Sequence, residues 1–175
     1  MTEPAGPELH WKLQSARRAG DTATLIEGLS DPIEGYVAAR FLGDVGAKDA
    51  VPDLMEYLDS PDSQMRASVV RSLGKLGASL ALPHIETAVE GDEAPSVRMR
   101  AVEAAAELMP PDRVRPLLHQ ALKDPGWQVR FAAAYTLGRV GNRSDLAALD
   151  GAKRAEALWR RGVYRKAALA IRGRS

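Results

Sequence analysis

Residues Ser72–Gly77 read SLGKLG, two glycines three apart around a lysine. A glycine pair of this kind either cradles a phosphate or bends a chain. The stretch recurs as FLGDVG at Phe41–Gly46 and as TLGRVG at Thr136–Gly141. Its leucines, Leu42, Leu73 and Leu137, are 31 and 64 residues apart, which leaves room for one further copy. There the chain reads AAELMPP, Ala105–Pro111, keeping Leu108 and replacing both glycines. A phosphate loop occurs once, after a strand, whereas a bend that every repeat needs recurs at the repeat period. The stretch is therefore read as a bend: the first glycine ends a helix in the left-handed conformation and the second lets the chain turn back. A GxxG clamp for single-stranded nucleic acid is the other chemistry that fits the pair.

The flanking residues keep the same period. An apolar-Arg pair precedes each copy, at Met65-Arg66, Val97-Arg98 and Val129-Arg130, 32 residues apart. A second apolar run with a proline follows, in AVPDLMEYL (Pro52), ALPHIETAV (Pro83) and VRPLLHQAL (Pro116). Turn formers separate the units: SDP at 30–32, DSPD at 59–62, GDEAP at 91–95 and KDPG at 123–126. Met65, Val69, Val70 and Leu73 share one face of a first helix, and Val51, Leu54 and Leu58 one face of a second. The prolines fall near the start of the second helices, where a missing N–H costs no hydrogen bond. One such pair cannot bury its apolar face alone, so the units stack. The expectation is an all-α α-solenoid of about four to five antiparallel helix pairs, read as a single domain over 1–175. Residues 1–29 form a capping pair turning at Gly20-Asp21, 30–150 the repeats, and 151–175 basic capping helices. Val163–Ile171 is read there as a first helix whose partner is absent.

Composition agrees. Aromatic residues are 5% of the 175, while alanine and leucine dominate the apolar set, which favours packed helices over sheet. The absence of cysteine excludes disulfides and thiolate metal sites. MTEPAGPELHW lacks the basic start and apolar core of a signal peptide, and no run of 18 apolar residues spans a membrane, so a cytoplasmic protein is expected.

The pattern V-R-x-x-A-A-x-x-L-G-x-V-G, fullest in QVRFAAAYTLGRVG at Gln128–Gly141, resembles the short HEAT-like repeats of the phycobilisome-lyase type. The resemblance covers about residues 21–150 and implies the solenoid architecture. Proteins with such repeats include bilin lyases and chaperones, scaffolds, a DNA glycosylase family and the di-iron deoxyhypusine hydroxylases. The hydroxylases ligate iron through adjacent His-Glu pairs, and none of His10, His84 and His119 is followed by glutamate, which removes that reading.

No catalytic constellation and no metal site is found, and no cofactor is expected. Arg66, Arg98 and Arg130 form a column that either binds anions or fixes the stacking of neighbouring repeats. Glu86 and His119 sit one repeat apart, close enough in register to pair. Trp127 opens a helix and is read as packing within its own repeat. On the second helices, the positions left after subtracting the core are Asp53, Glu56, Tyr57, His84, Thr87, Leu117 and Gln120, a polar face suited to a peptide or protein. From Gly151 the chain carries eight basic residues against Glu156 alone, net +7, and the remainder is −6. Lys153, Arg154, Trp159, Arg160, Arg161, Tyr164, Arg165 and Lys166 make this basic end, with aromatics interleaved as in a base-stacking platform. A polar cap on an open repeat end accounts for the same charge. The sequence thus reads as a non-enzymatic scaffold binding a protein through its second helices. Two alternatives stand: a bilin-lyase-like enzyme or chaperone holding a small carboxylated ligand, and nucleic-acid binding at the basic end.

Overall fold

The computed structural model describes residues 7–174, which form eleven α-helices and no strand. They are α1 (Pro7–Ala19), α2 (Thr22–Glu27), α3 (Gly35–Val45), α4 (Val51–Met55), α5 (Ser63–Leu76), α6 (Leu82–Gly91), α7 (Pro95–Leu108), α8 (Pro111–Ala121), α9 (Trp127–Val140), α10 (Leu146–Ala155) and α11 (Gly162–Gly173). The order is that of the expected all-α solenoid: a leading pair, four repeats whose first helices are α3, α5, α7 and α9, and α11 as a last first helix. Met1–Gly6 of the expected cap, and Ser175, lie outside the described residues. The chain divides into two units, Met1–His84 and Ile85–Ser175, the division falling inside α6. In the first, α1 packs on α2 and α3, and α3 on α5. In the second, α7 packs on α8 and α9, and α9 on α11. Leu42, Leu54, Leu73, Leu118 and Leu137 are fully buried at the repeated core positions.

The glycine pair has a different division of labour from the one expected. In SLGKLG the second glycine, Gly77, takes the left-handed conformation at φ +71° and ends α5. Ala78 N–H then donates to Leu73 O (3.0 Å), satisfying a carbonyl that the helix end leaves open. Gly20 and Gly46 do the same after α1 and α3. The first glycine lies inside its helix, where it lets a neighbour approach. A Cβ on Gly43 would stand 2.8 Å from Ser72 Cα, and Ser72 Oγ donates to Ala39 O (2.8 Å) across that contact. A Cβ on Gly138 would stand 3.0 Å from Ala167 Cα, so α9 and α11 make the same close crossing.

Four further expectations are corrected. The core position of the third repeat is Ala105, fully buried, with Leu108 only half-buried. Helix α7 then stops at Met109, in extended conformation, because a residue before proline is driven from the helical region. Gly141, in the last copy, is also extended, and Arg174 caps α9 instead by donating to Gly138 O (2.6 Å) and Gly141 O (3.1 Å). Pro116 lies inside α8 and not at its start, because Pro111 opens that helix earlier. Finally α4 ends at Met55, so Glu56, Tyr57 and the buried Leu58 fall in the following turn.

Two members of the arginine column, Arg98 and Arg130, tie their repeats to the next. Arg98 Nη1 donates to Asp92 O (2.7 Å) and Glu93 O (3.2 Å) in the loop before its own helix. Its Nε and Nη2 reach both carboxylate oxygens of Asp124 in the next loop (2.7 and 2.9 Å). Arg130 repeats the arrangement with Asp124 O, Pro125 O and Glu156. Arg66 donates to Ser60 O (2.7 Å) in its own preceding loop. Burial by itself would raise the Asp124 carboxyl; the bonds from Arg98 and Gly126 N–H outweigh it and hold the carboxyl below its usual range.

Candidate functional site

The basic end is organised inward, around its one acid. Glu156 is 5% exposed. It accepts from Arg130 (2.9 Å), Arg160 (3.4 Å) and the hydroxyl of Tyr164 (3.3 Å). Burial opposes its ionisation, but Arg130, Ala157 N–H and Arg160 outweigh burial and keep the carboxyl below its usual range. Lys153 pairs with Asp150 (2.7 Å), and Arg161 donates to Glu156 O and Arg154 O. Tyr164 is 2% exposed, so it is a core residue and not part of a stacking platform, which corrects its place in the expected basic end. Trp159, 74% exposed, has its ring 4.1 Å from the Arg160 guanidinium. The same guanidinium lies 4.6 Å from the Trp127 ring, which stays 40% exposed, so the C-terminal segment contributes to its cover. Arg154, Arg165 and Lys166 are exposed.

Beside this end, α9 and α11 enclose a groove of about 440 Å³. Phe131 and Tyr135 of α9 stand along it, 45% and 57% exposed. Gly138, Gly162, Ala167 and Ala170 keep it open, and Val163 completes a predominantly apolar lining. Arg139 and Lys166 supply its charge. Of this set only Lys166 is among the residues expected from the sequence. The missed signal is the spacing Trp127, Phe131, Tyr135, Arg139: one helical face, out of phase with the buried Val129, Ala133 and Leu137.

The second-helix residues are divided between the two units. Asp53 is on α4, with Glu56 and Tyr57 in the turn after it; His84 lies in the first turn of α6 and Thr87 further along it, and Leu117 and Gln120 are on α8. Asp53, Tyr57 and Leu117 are half-buried and the others exposed. Glu86 and His119 do not pair. Arg113 takes Glu86 (3.4 Å), and His119 Nε2 lies 2.7 Å from Oδ1 of the buried Asp145. Among the described residues no group of three or more His, Cys, Asp or Glu could hold a metal ion. Among the described residues no helix is long and apolar enough to cross a membrane.

Residues 22–106 and 87–170 each match the HEAT repeats family, between them most of the chain. The chain belongs to that family. Its repeats are of the phycobilisome-lyase HEAT-like type. This HEAT-repeat chain is 38% identical over 121 residues to Bilin biosynthesis protein RpcF of Synechococcus sp. (strain WH8020), across 63% of the chain and 57% of that protein. It is 31% identical over 137 residues to Phycocyanobilin lyase subunit beta of Thermosynechococcus vestitus (strain NIES-2133 / IAM M-273 / BP-1), across 71% of the chain and 63% of that protein. The chain thus spans about three fifths of the length of these relatives. In fold it is similar to a chain from the complex of CpcE and CpcF of phycocyanin lyase from Nostoc sp. PCC7120, with a TM-score of 0.66 at 24% identity, over 87% of this chain and 98% of that one. An engineered protein gives a TM-score of 0.55 at 18% identity, over 92% of this chain and 83% of its own.

Proposed function

We propose that this HEAT-repeat chain handles bilins: it binds an open-chain tetrapyrrole reversibly and acts together with a second protein chain. The observation that carries the reading is the α9–α11 groove, a predominantly apolar lining with Arg139 and Lys166 beside it, which suits an apolar ligand bearing carboxylates. The similarity to two proteins named for bilin biosynthesis and bilin lyase activity supports it over a general scaffold. The chain has no cysteine to form a thioether, so the binding proposed here is non-covalent. A protein partner is supported by the two-chain complex in which the structural relative occurs. That contact is proposed at the second-helix residues of each unit taken separately: Asp53, Glu56, Tyr57 and His84 in the first, and Thr87, Leu117 and Gln120 in the second.

The test is direct. Purified chain is titrated with phycocyanobilin, and visible absorption and circular dichroism are recorded. A twisted chromophore held in one chiral pocket acquires a visible dichroism signal, which is the expected result. An absorption spectrum and dichroism unchanged from free bilin would overturn the reading.

A further inference from the structure

Helix α11 has two unlike faces. On the inner one Ala167, Ala168 and Ile171 are buried, in the places that Ala133, Ala134 and Leu137 hold in α9. On the outer one Leu169 stays 64% exposed, with Arg165 and Lys166 one turn before it and Arg172 one turn after. None of these three cations makes an ion pair among the described residues. Where α9 has Gly138, which lets α11 approach, α11 has Arg172, so its outer face is not built for the close crossing that joins α9 to α11. Just before α11, the consecutive Leu158 and Trp159 are 77% and 74% exposed. Arg160, against the Trp159 ring, and Arg161, bonded to Glu156 O and Arg154 O, hold that turn. The acids at this end are already taken: Glu156 is buried against Arg130, and Asp150 pairs with Lys153.

From this end we infer a second binding surface: the turn at 158–161 and the outer face of α11 dock on an anionic lipid surface, with Leu158, Trp159 and Leu169 entering the headgroup region and Arg165, Lys166 and Arg172 meeting the phosphates. Charge complementarity selects an anionic partner, because the unpaired cations have no acid of their own. A polar cap on the repeat stack would account for the cations, but it has no use for two leucines and a tryptophan held in water. A second copy would bring the same positive face against itself and be repelled. A partner helix is gripped by a row of apolar side chains lining a groove. Here the apolar side chains stand singly, on a turn and on a helix, among cations. A bilayer surface needs no matching shape: it takes protruding leucine and tryptophan into the boundary between headgroups and acyl chains while arginine and lysine stay with the phosphates. This surface is separate from bilin handling and does not rest on it.

The experiment sediments the full chain with vesicles of phosphatidylcholine alone, or of phosphatidylcholine and phosphatidylglycerol in equal parts. Wild type is expected to bind the mixed vesicles and not the neutral ones, and less tightly as salt is raised. Arg165→Glu/Arg172→Glu should weaken that binding at least about tenfold, since each basic residue near an anionic leaflet is worth about fivefold. Leu158→Ser/Leu169→Ser should weaken it about fivefold or more and leave the salt dependence in place, because insertion is not ionic. All four positions are exposed, and thermal unfolding checks that both variants fold. Wild type that ignores the mixed vesicles, or binds both kinds equally, would overturn the proposal without recourse to a variant. A leucine variant that binds as wild type does would also overturn it, because the contact would then be surface charge alone. Soluble polyglutamate bound more tightly than the mixed vesicles, through the same arginines and without the leucines, would assign this end to an acidic protein instead.

Discussion

Gly43 and Gly77 occupy the two positions of one repeated motif, and the structure separates what each does. Gly77 holds φ +71° in open space, so its requirement is conformational. Gly43 has an ordinary backbone, and its requirement is steric: a Cβ would press on the backbone of Ser72. Gly77→Ala should therefore cost about 1–2 kcal/mol, and Gly77→Asn less, since Asn tolerates the left-handed region. Gly43→Ala should cost about 1–3 kcal/mol with no relief from Asn, because the α3–α5 crossing must open. Urea unfolding of the four proteins checks this; relief by Asn at 43 would contradict it. The lysine between the glycines is also occupied. Lys75 Nζ lies 2.6 Å from Asp44, which Arg71 and Arg17 also approach at 3.4 and 3.5 Å. Lys75→Ala should lower stability by at most about 1 kcal/mol, since Lys75 itself is exposed and Arg71 and Arg17 remain beside Asp44. The motif was legible as a bend because its period ruled out a single phosphate loop. Which glycine makes the bend was not legible, because a close crossing and a left-handed φ both demand glycine and leave the same letter.

At the scale of helices, the period fixed the pairing and the proline chemistry moved the boundaries. Pro110 and Pro111 stop α7 and start α8 within three residues, a shift that the mean repeat does not contain. The shortness of α4 has no such marker in its sequence; VPDLMEYL carries a helical pattern through Leu58, and the chain leaves the helix at Glu56. What binds the elements is legible as the arginine column, although its acids lie 26 residues away and belong to the next repeat. Arg98 and Asp124 have side chains 10% and 9% exposed, and each is left with a nearly buried charge when the other is removed. Arg98→Ala or Asp124→Ala should each cost about 3–5 kcal/mol, and the double substitution should cost far less than their sum. A double-mutant cycle by urea unfolding measures the coupling; additive losses would mean that the pair does not join the repeats.

Across the whole molecule, charge was the most legible clue and the easiest to misplace. The +7 stretch drew attention to the basic end, yet much of that charge is spent on Glu156, Asp150 and helix-end carbonyls. The groove beside it depends on aromatics whose exposure follows from helix phase, a property of three-dimensional packing that composition does not carry. The same inward use of charge sets how the molecule responds to acid. Asp44 in the first unit, and Asp124 and Glu156 in the second, are each pushed upward by burial and held below their usual range by the cations and N–H groups that outweigh it. A carboxyl whose folded value is depressed contributes stability that is complete above its unfolded value, about 3.9 for Asp and 4.3 for Glu, and that disappears as pH falls through the folded value. The urea midpoint should therefore be flat with respect to these groups near neutrality and fall steeply below about pH 4. Asp124→Asn should lower the midpoint at neutral pH and make the acid slope shallower, because the group that binds protons on unfolding is gone. Asp44→Asn should do the same, through Lys75, Arg71 and Arg17. An acid slope identical in wild type and both variants would show that these carboxylates do not carry the stability, and that repeat packing alone sets it.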